Sequence, residues 1–304
     1  MNEIMKDQSE SSFRNYDDVP DRVRMFYTDQ HRLLTFEKAS TLNRKFTVSE
    51  KRAYSIDELM AITDSIFDPS DPDTNLSQTE HAYQTARGAL KKGLPDEMVV
   101  IGLIHDLGKA VVRLLNIDMT YLVGDTFPLG APFEQESITF GDSLSLNPDI
   151  NDPRYNSGSG IYEEGCGFSN MLFTGHDEFI YLSLCESEHL LPDWAMYAVR
   201  FHSFYPWHTQ RAYAKYADDY DRDTLKYVLM MNGIDLYTKH AEAVEESDKR
   251  AVDNIIARFL PNGLVFPVGL KAAHLDYDPE IQELPLGDLT PNQLGKGSLQ
   301  EELL

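Results

Sequence analysis

The chain has 304 residues, 42% of them hydrophobic, which is enough for one large or two ordinary domains with a sizeable core. Asp and Glu number 50 against 27 Lys and Arg, so the net charge is −23. Such an acidic surface repels nucleic-acid phosphates and anionic lipids, which excludes both as expected partners and leaves a small neutral substrate compatible.

The cysteine count and the N-terminal sequence bear on the cellular compartment. Cys166 and Cys185 are the only cysteines, too few for a disulfide framework or a cysteine-based zinc site. Residues 1–12 are polar and lack the apolar core of a secretory signal, and no apolar run is long enough to span a membrane. These features predict a cytoplasmic protein, and the lack of a heptad seam favours a monomer.

The distribution of apolar residues, Gly and Pro predicts an all-α protein. Residues 1–12 are expected to form a disordered lead, 13–260 a single helical domain, and 261–304 an irregular, partly disordered tail. Residues 116–168 are dense in Gly, Pro, Asn and Asp, and a loop of that length is usually functional. Neither an internal repeat nor an alternating strand pattern is apparent. Helices are expected at about 23–45, 54–67, 79–91, 96–115, 169–187, 192–204, 223–239 and 246–259.

The segment MVVIGLIHD places an imidazole and a carboxylate, His105 and Asp106, side by side in the most apolar helix. This helix is apolar on all faces, which is typical of a fully buried element. A buried carboxylate is costly unless it is paired or coordinates a metal. Taken alone, the dipeptide fits a satisfied His–Asp pair in a core as well as it fits a metal site.

Other potential ligands favour the metal site. His81 precedes the dipeptide by 24 residues and Asp235 lies in a later apolar helix, which is the ligand order of HD-domain metal proteins. His176 and His202 also lie in helical contexts. Nitrogen and carboxylate donors without thiolates suit iron or manganese better than structural zinc, and Asp106 is able to bridge two ions.

Polar groups suited to a polyol accompany these ligands. Lys109 follows His105 by four residues and Lys239 follows Asp235 by four, so each lysine shares a helix face with a candidate ligand. Ser203 adjoins His202. Each lysine taken alone also fits a solvated charge at a helix end.

Several longer stretches resemble the myo-inositol oxygenase family from about residue 13 to residue 259. The two most specific are VGDTFPLG at 123–130 and RFHSFYPWH at 200–208, whereas a bare His-Asp dipeptide is weak. The others are FRNY at 13–16, DRVR at 21–24, DPSDPD at 68–73, HAYQTA at 81–86, GLIHDLGK at 102–109, NDPRY at 151–155, GHDE at 175–178 and DLYTK at 235–239.

The resemblance implies an HD-type helical domain around a mixed-valent Fe(II)/Fe(III) pair that converts myo-inositol and O2 to D-glucuronate. It assigns His81, His105, Asp106 and Asp235 to one iron, and Asp106 as a bridge with His176 and His202 to the other. Asp106 and Lys109 are then the catalytic residues, and the segment around Arg14 is a lid over the site. The implied substrate contacts are Arg14, Asp68, Ser70, Lys109, Gly124, Asp125, His202, Ser203 and Lys239.

Two features depart from the family pattern. Pro69 stands where the family more often has an acidic residue, and the tail beyond Leu260 has no typical counterpart. Five further histidines are left outside the site, of which His208 is the candidate for an indirect role. Asp177 and Glu178 are expected at the surface or in support of the ligands. The five are His31, His189, His208, His240 and His274.

Two other functions remain compatible with the ligand pattern. The first is an HD-type metal-dependent phosphohydrolase, although Asp68 and Asp125 in the loops would repel a phosphate ester. The second is a catalytically silent inositol-binding protein, which the presence of all six candidate ligands disfavours.

Overall fold

The computed structural model describes residues 19–70, 77–236 and 243–269, so the predicted lead, Arg14 and Lys239 lie outside the described residues. Within those ranges the chain is predominantly helical, which confirms the all-α prediction. The elements are α1 (Asp21–Leu33), α2 (Phe36–Val48), β1 (Lys51–Tyr54), α3 (Ile56–Asp64), α4 (Gln78–Lys91), α5 (Asp96–Ile104), α6 (Val111–Leu114), α7 (His176–Glu186), α8 (Asp193–Arg200), α9 (Tyr205–His208), α10 (Asp219–Leu236), α11 (Glu246–Phe259) and β2 (Leu264–Pro267), with short 3₁₀ helices between them.

Capping bonds divide the first part of the chain more finely than its apolar pattern predicts. The first expected helix is two helices, because the Thr35 side chain accepts a hydrogen bond from the Lys38 backbone and starts α2. The second begins only after Ser55, which forms a capping box with Glu58 at the start of α3. Both boundaries are therefore set by side-chain oxygens that satisfy the first N–H groups of a helix.

One short antiparallel sheet was not predicted. β1 pairs with β2, with Lys51 opposite Pro267 and Tyr54 opposite Leu264. The expectation of an irregular chain after residue 260 is therefore wrong for this strand, because four residues are too few to give a recognisable alternating pattern. Leu264 and Phe266 are fully buried, so the strand closes one side of the core.

Helix α5 is buried on all faces, as its composition predicts. It packs against α4, α10 and α11. A Cβ on Gly102 would lie 3.3 Å from the Ala86 backbone, so the glycine permits the close approach of α4. The expected continuous helix to residue 115 is interrupted by a 3₁₀ helix, His105–Ala110, which carries the His-Asp dipeptide.

The long loop after α6 is irregular, as predicted, but its first part belongs to the core. All ten residues from 122 to 131 are buried, and Leu129 forms an isolated bridge with Leu172. Its backbone also binds the start of α7, since the His176 N–H donates to Leu122 O at 2.8 Å. Among the described helices, none has the length and apolarity that a membrane span requires.

Candidate metal centre

Six buried side chains meet where five segments of the chain converge. They come from α4, the 3₁₀ helix, the first residue of α7, the turn after α8 and the end of α10. Each is at most 8% exposed. The six are His81, His105, Asp106, His176, His202 and Asp235, which are the six predicted ligands.

The first group of donors surrounds His81 and His105. Ligand atoms of these two residues and of Asp106 all lie within 4.8 Å of one another. Asp235 belongs to the same cluster, because its Oδ1 lies 2.9 Å from His81 Nε2 and 3.5 Å from His105 Nε2. Two imidazoles and two carboxylates therefore face one small volume.

The second group shares one member with the first. Asp106, His176 and His202 also offer ligand atoms within 4.8 Å of one another. The two oxygens of Asp106 are divided between the groups, since Oδ2 lies 3.5 Å from His105 Nε2 and Oδ1 lies 3.3 Å from His176 Nε2. A carboxylate placed in this way suits a bridge between two ions.

Backbone carbonyls orient three of the imidazoles. His105, His176 and His202 each place Nδ1 within 2.7 or 2.8 Å of a carbonyl oxygen, so Nδ1 carries the proton and Nε2 is left as the ligand atom. The acceptors belong to Gly102, Leu122 and Val199. Such bonds hold the rings in a ligating orientation before an ion binds.

The electrostatics of the cluster favour a cation. Burial would raise the pKa of Asp106, but the Lys109 ammonium and His105 hold it well below its usual range. Burial would lower the pKa of His176, but the carboxylates of Asp177 and Asp106 raise it to about 10. Without metal His176 therefore stays protonated, and a bound cation would displace the proton on its Nε2.

Lys109 links the donors to two of the predicted substrate residues. Its Nζ lies 2.9 Å from Asp68 Oδ2 and 3.0 Å from Asp106 Oδ2. Asp68 in turn accepts hydrogen bonds at Oδ1 from the Ser70 backbone, at 2.9 Å, and hydroxyl, at 2.6 Å. These contacts hold the pKa of Asp68 below its ordinary value against the opposing effect of burial, so its carboxylate is ionised.

The loop 123–126 is bonded to the turn that carries His202. Thr126 N donates to Ser203 O at 3.0 Å, and Thr139 N donates to Asp125 Oδ2 at 3.0 Å. Gly124 has φ +95°, a conformation that favours glycine, and a Cβ there would lie 2.9 Å from the Gln30 amide and displace it. Thr126 thus joins the loop to Ser203, the neighbour of His202, while Gly124 lies beside Gln30 and Asp125 binds Thr139.

The family assignment follows from comparison with known proteins. A family model described as myo-inositol oxygenase matches residues 20–266, which cover every described ligand of the cluster. The chain belongs to the myo-inositol oxygenase family. It is therefore an enzyme, an oxygenase that acts on a small molecule, and its buried His/Asp cluster is compatible with metal binding.

Curated relatives of this family align with most of the chain. The inositol oxygenase of Dictyostelium discoideum is 37% identical over 271 residues, covering 86% of this chain and 91% of its own. That of Mus musculus is 38% identical over 264 residues, covering 84% and 92%. That of Homo sapiens is 39% identical over 243 residues, covering 78% and 84%.

In this myo-inositol oxygenase family member, residues outside the predicted site also contact the segments that carry the candidate ligands. The surface alternative for Asp177 and Glu178 is wrong, since their exposures are 1% and 3%. Asp177 Oδ2 accepts a hydrogen bond from Ser203 N at 2.9 Å, and Glu178 pairs with a buried arginine. His208 Nε2 lies 3.0 Å from His202 O, which fits the indirect role considered for it. An acidic pair at the start of a largely apolar helix was the available signal in the sequence.

Proposed function

We propose that this chain is an inositol oxygenase that converts myo-inositol and O2 to D-glucuronate at a pair of iron ions. The observation that carries the proposal is the carboxylate of Asp106, whose two oxygens face separate groups of donors. Beside it stand a buried ammonium and a carboxylate, Lys109 and Asp68, suited to the hydroxyls of a polyol. The curated relatives bear the name inositol oxygenase.

The donor set fits two iron ions. Imidazole and carboxylate ligands without thiolate suit iron, and a shared carboxylate suits a pair. One ion would be held by His81, His105, Asp106 and Asp235, the other by Asp106, His176 and His202. When bound, the pair supplies Lewis acidity at a hydroxyl and the redox chemistry with O2 in its mixed-valent Fe(II)/Fe(III) state.

The protein's own residues bind and orient the substrate. The Lys109 ammonium, whose pKa the carboxylates of Asp106 and Asp68 raise despite burial, stays charged and stabilises negative charge on a hydroxyl oxygen. Asp68, Ser70, Asp125 and Ser203 are proposed to contact the remaining hydroxyls. Their burial excludes water from the reaction.

The overall reaction balances as a four-electron oxidation. Myo-inositol and one O2 yield glucuronic acid and one water when a single ring C–C bond is cleaved. One carbon of that bond becomes the carboxyl group and the other the aldehyde. Arg14 and Lys239, which lie outside the described residues, stay predicted substrate contacts.

Oxygen uptake tests the proposal directly. Anaerobic protein is loaded with Fe(II) and given myo-inositol and O2, and equal amounts of O2 consumed and glucuronate formed are expected. Phosphate release from esters without O2 demand would instead favour an HD-type phosphohydrolase. Inositol binding without turnover would favour the silent binding protein. Location in the cytoplasm and the monomeric state stay predictions, which fractionation and sedimentation would check.

Lys109→Met tests the role of the ammonium. Loss of one preorganised charge is expected to lower kcat by roughly 10²-fold, in the range seen when one donor to a developing anion is removed. Lys226→Met, at an exposed position of α10, is the matched control and should keep full activity. Retention of wild-type kcat in Lys109→Met would remove this residue from the proposed mechanism.

A further inference from the structure

The ammonium group of Lys109 already has three hydrogen-bond acceptors in this structure. Its Nζ contacts three acceptors, at 2.9 Å from Asp68 Oδ2, 3.0 Å from Asp106 Oδ2 and 3.2 Å from Gln78 Oε1. A lysine ammonium has only three N–H donors. A substrate hydroxyl that accepts a hydrogen bond from Lys109 therefore has to replace one of these acceptors.

Gln78 is the acceptor that a substrate hydroxyl can most easily replace at Lys109. The ammonium and each carboxylate attract one another as opposite full charges, whereas the Gln78 amide is neutral and its contact is the longest of the three. Asp68 and Asp106 are each 8% exposed, whereas Gln78 is half-buried and so reachable from solvent. Separating a buried carboxylate from Lys109 would cost far more than separating the amide.

The position of Gln78 directs its carboxamide to the site. It is the first residue of α4 and precedes His81 by three residues, so both side chains share one helix face. Its side chain carries one acceptor oxygen and two N–H donors. Such a group can exchange its bond with Lys109 for a bond with the hydroxyl next to the one that Lys109 holds.

We propose that Gln78 is a substrate-binding residue that recognises one hydroxyl of a vicinal pair on the polyol. On binding, one hydroxyl takes the place of Gln78 Oε1 at Lys109, and the released carboxamide binds the neighbouring hydroxyl. This inference rests on the proposed function, and it assigns Gln78 a part in substrate specificity. In this role Gln78 binds the substrate and no metal ion.

Steady-state kinetics of Gln78→Leu tests the assignment. The leucine keeps similar bulk and removes the polar atoms, so we expect KM for myo-inositol to rise roughly tenfold, the effect of one hydrogen bond. We expect kcat to stay within about threefold and the iron content to be unchanged, because the metal donors are intact. Lys91→Gln, an exposed change on the same helix, should match the wild type in all three quantities.

A series of mono-deoxy inositols separates substrate contact from mere support of Lys109. In the wild type, removal of the hydroxyl that faces Gln78 should raise KM roughly tenfold. In Gln78→Leu the same deoxy compound should bind as well as myo-inositol, because the partner of that hydroxyl is already gone. Each of the other deoxy positions should keep its wild-type penalty in the variant.

The outcomes distinguish this inference from the proposed function. A wild-type protein that fails to oxidise any inositol refutes the proposed function, and with it the substrate role of Gln78. An active wild type whose Gln78→Leu variant keeps the wild-type KM overturns the inference alone. So does a variant with lowered kcat and unchanged deoxy penalties, since that pattern indicates that Gln78 only supports Lys109.

Discussion

Glu178 and Arg200 form a buried bidentate ion pair between the two helices that lead to the second group of donors. Arg200 Nε donates to Glu178 Oε2 at 2.7 Å and Nη2 donates to Oε1 at 2.9 Å. Glu178 lies two residues after His176 in α7, and Arg200 lies two residues before His202 at the end of α8. The pair therefore joins the two segments that carry these imidazoles.

Removal of one partner is expected to destabilise the fold. Arg200→Met leaves the Glu178 carboxylate buried without its counter-charge, which costs about 3–5 kcal/mol. Urea unfolding should show this loss, with a smaller loss in the double variant Arg200→Met/Glu178→Met, where no charge stays buried. The exposed pair of Arg32 and Asp29 supplies the control, because Arg32→Met should cost less than about 1 kcal/mol. Equal effects of the two arginine changes would contradict the proposed role.

The shared carboxylate makes a sharp prediction about metal content. Asp106→Ala removes a donor from both groups at once, so we expect iron to fall from about two ions per chain to less than one, with loss of activity. Iron analysis by atomic emission, on protein loaded anaerobically, measures this. Asp219→Ala, whose side chain is fully exposed, should keep the wild-type content. Two ions in the Asp106 variant would refute the bridge.

His31 makes stability depend on pH. Burial lowers its pKa to about 4 against the opposing effect of Asp125 and Asp142, while the unfolded chain has the ordinary value of 6.5. Between these values only the unfolded state takes up the proton, so stability is complete above pH 6.5 and falls as pH drops towards 4. The full loss is about 3 kcal/mol, from about 1.4 kcal/mol for each pKa unit.

The matched variant for this effect is His31→Gln. The imidazole Nδ1 lies 2.7 Å from Ser143 Oγ, which donates to Phe140 O, so a glutamine amide can replace the ring as the donor to Ser143. Urea unfolding at pH 7.5 and pH 5 should give a smaller drop in stability for the variant than for the wild type. Parallel pH profiles would exclude His31 as the source.

Two glycines should respond oppositely to alanine. A Cβ on Gly108 would lie 2.0 Å from His176 O, so the 3₁₀ helix and α7 would have to separate, at a cost of roughly 1–3 kcal/mol. A Cβ added to Gly233 in α10 would have no atom within 4 Å, so Gly233→Ala should stabilise the fold by about 0.5–1 kcal/mol. Thermal unfolding checks both signs. Stabilisation by Gly108→Ala would mean that the close approach is not needed.

The core helix and its ligand types could be predicted because their signals are local. A His-Asp dipeptide inside a helix that is apolar on all faces indicates a buried polar site, and both signals lie within a few residues of each other. Capping explains why the predicted starts of the early helices were wrong. A single side-chain hydrogen bond at Thr35 or Ser55 decides where a helix begins, even within a continuous apolar pattern. The strand Leu264–Pro267 was missed because four residues are too few to show an alternating pattern, and its pairing partner lies more than 200 residues away in the chain.

The sequence by itself determined the chemistry of this protein, because residue type and helical period decide which donors are present and which face they share. Only the tertiary structure decided how those donors are distributed. That the oxygens of Asp106 face two different groups, that Glu178 is buried against Arg200, and that Lys109 holds Gln78 as its third partner all depend on the packing of distant segments. Such contacts leave no periodic trace along the chain, since they arise when separate helices pack together and exclude water.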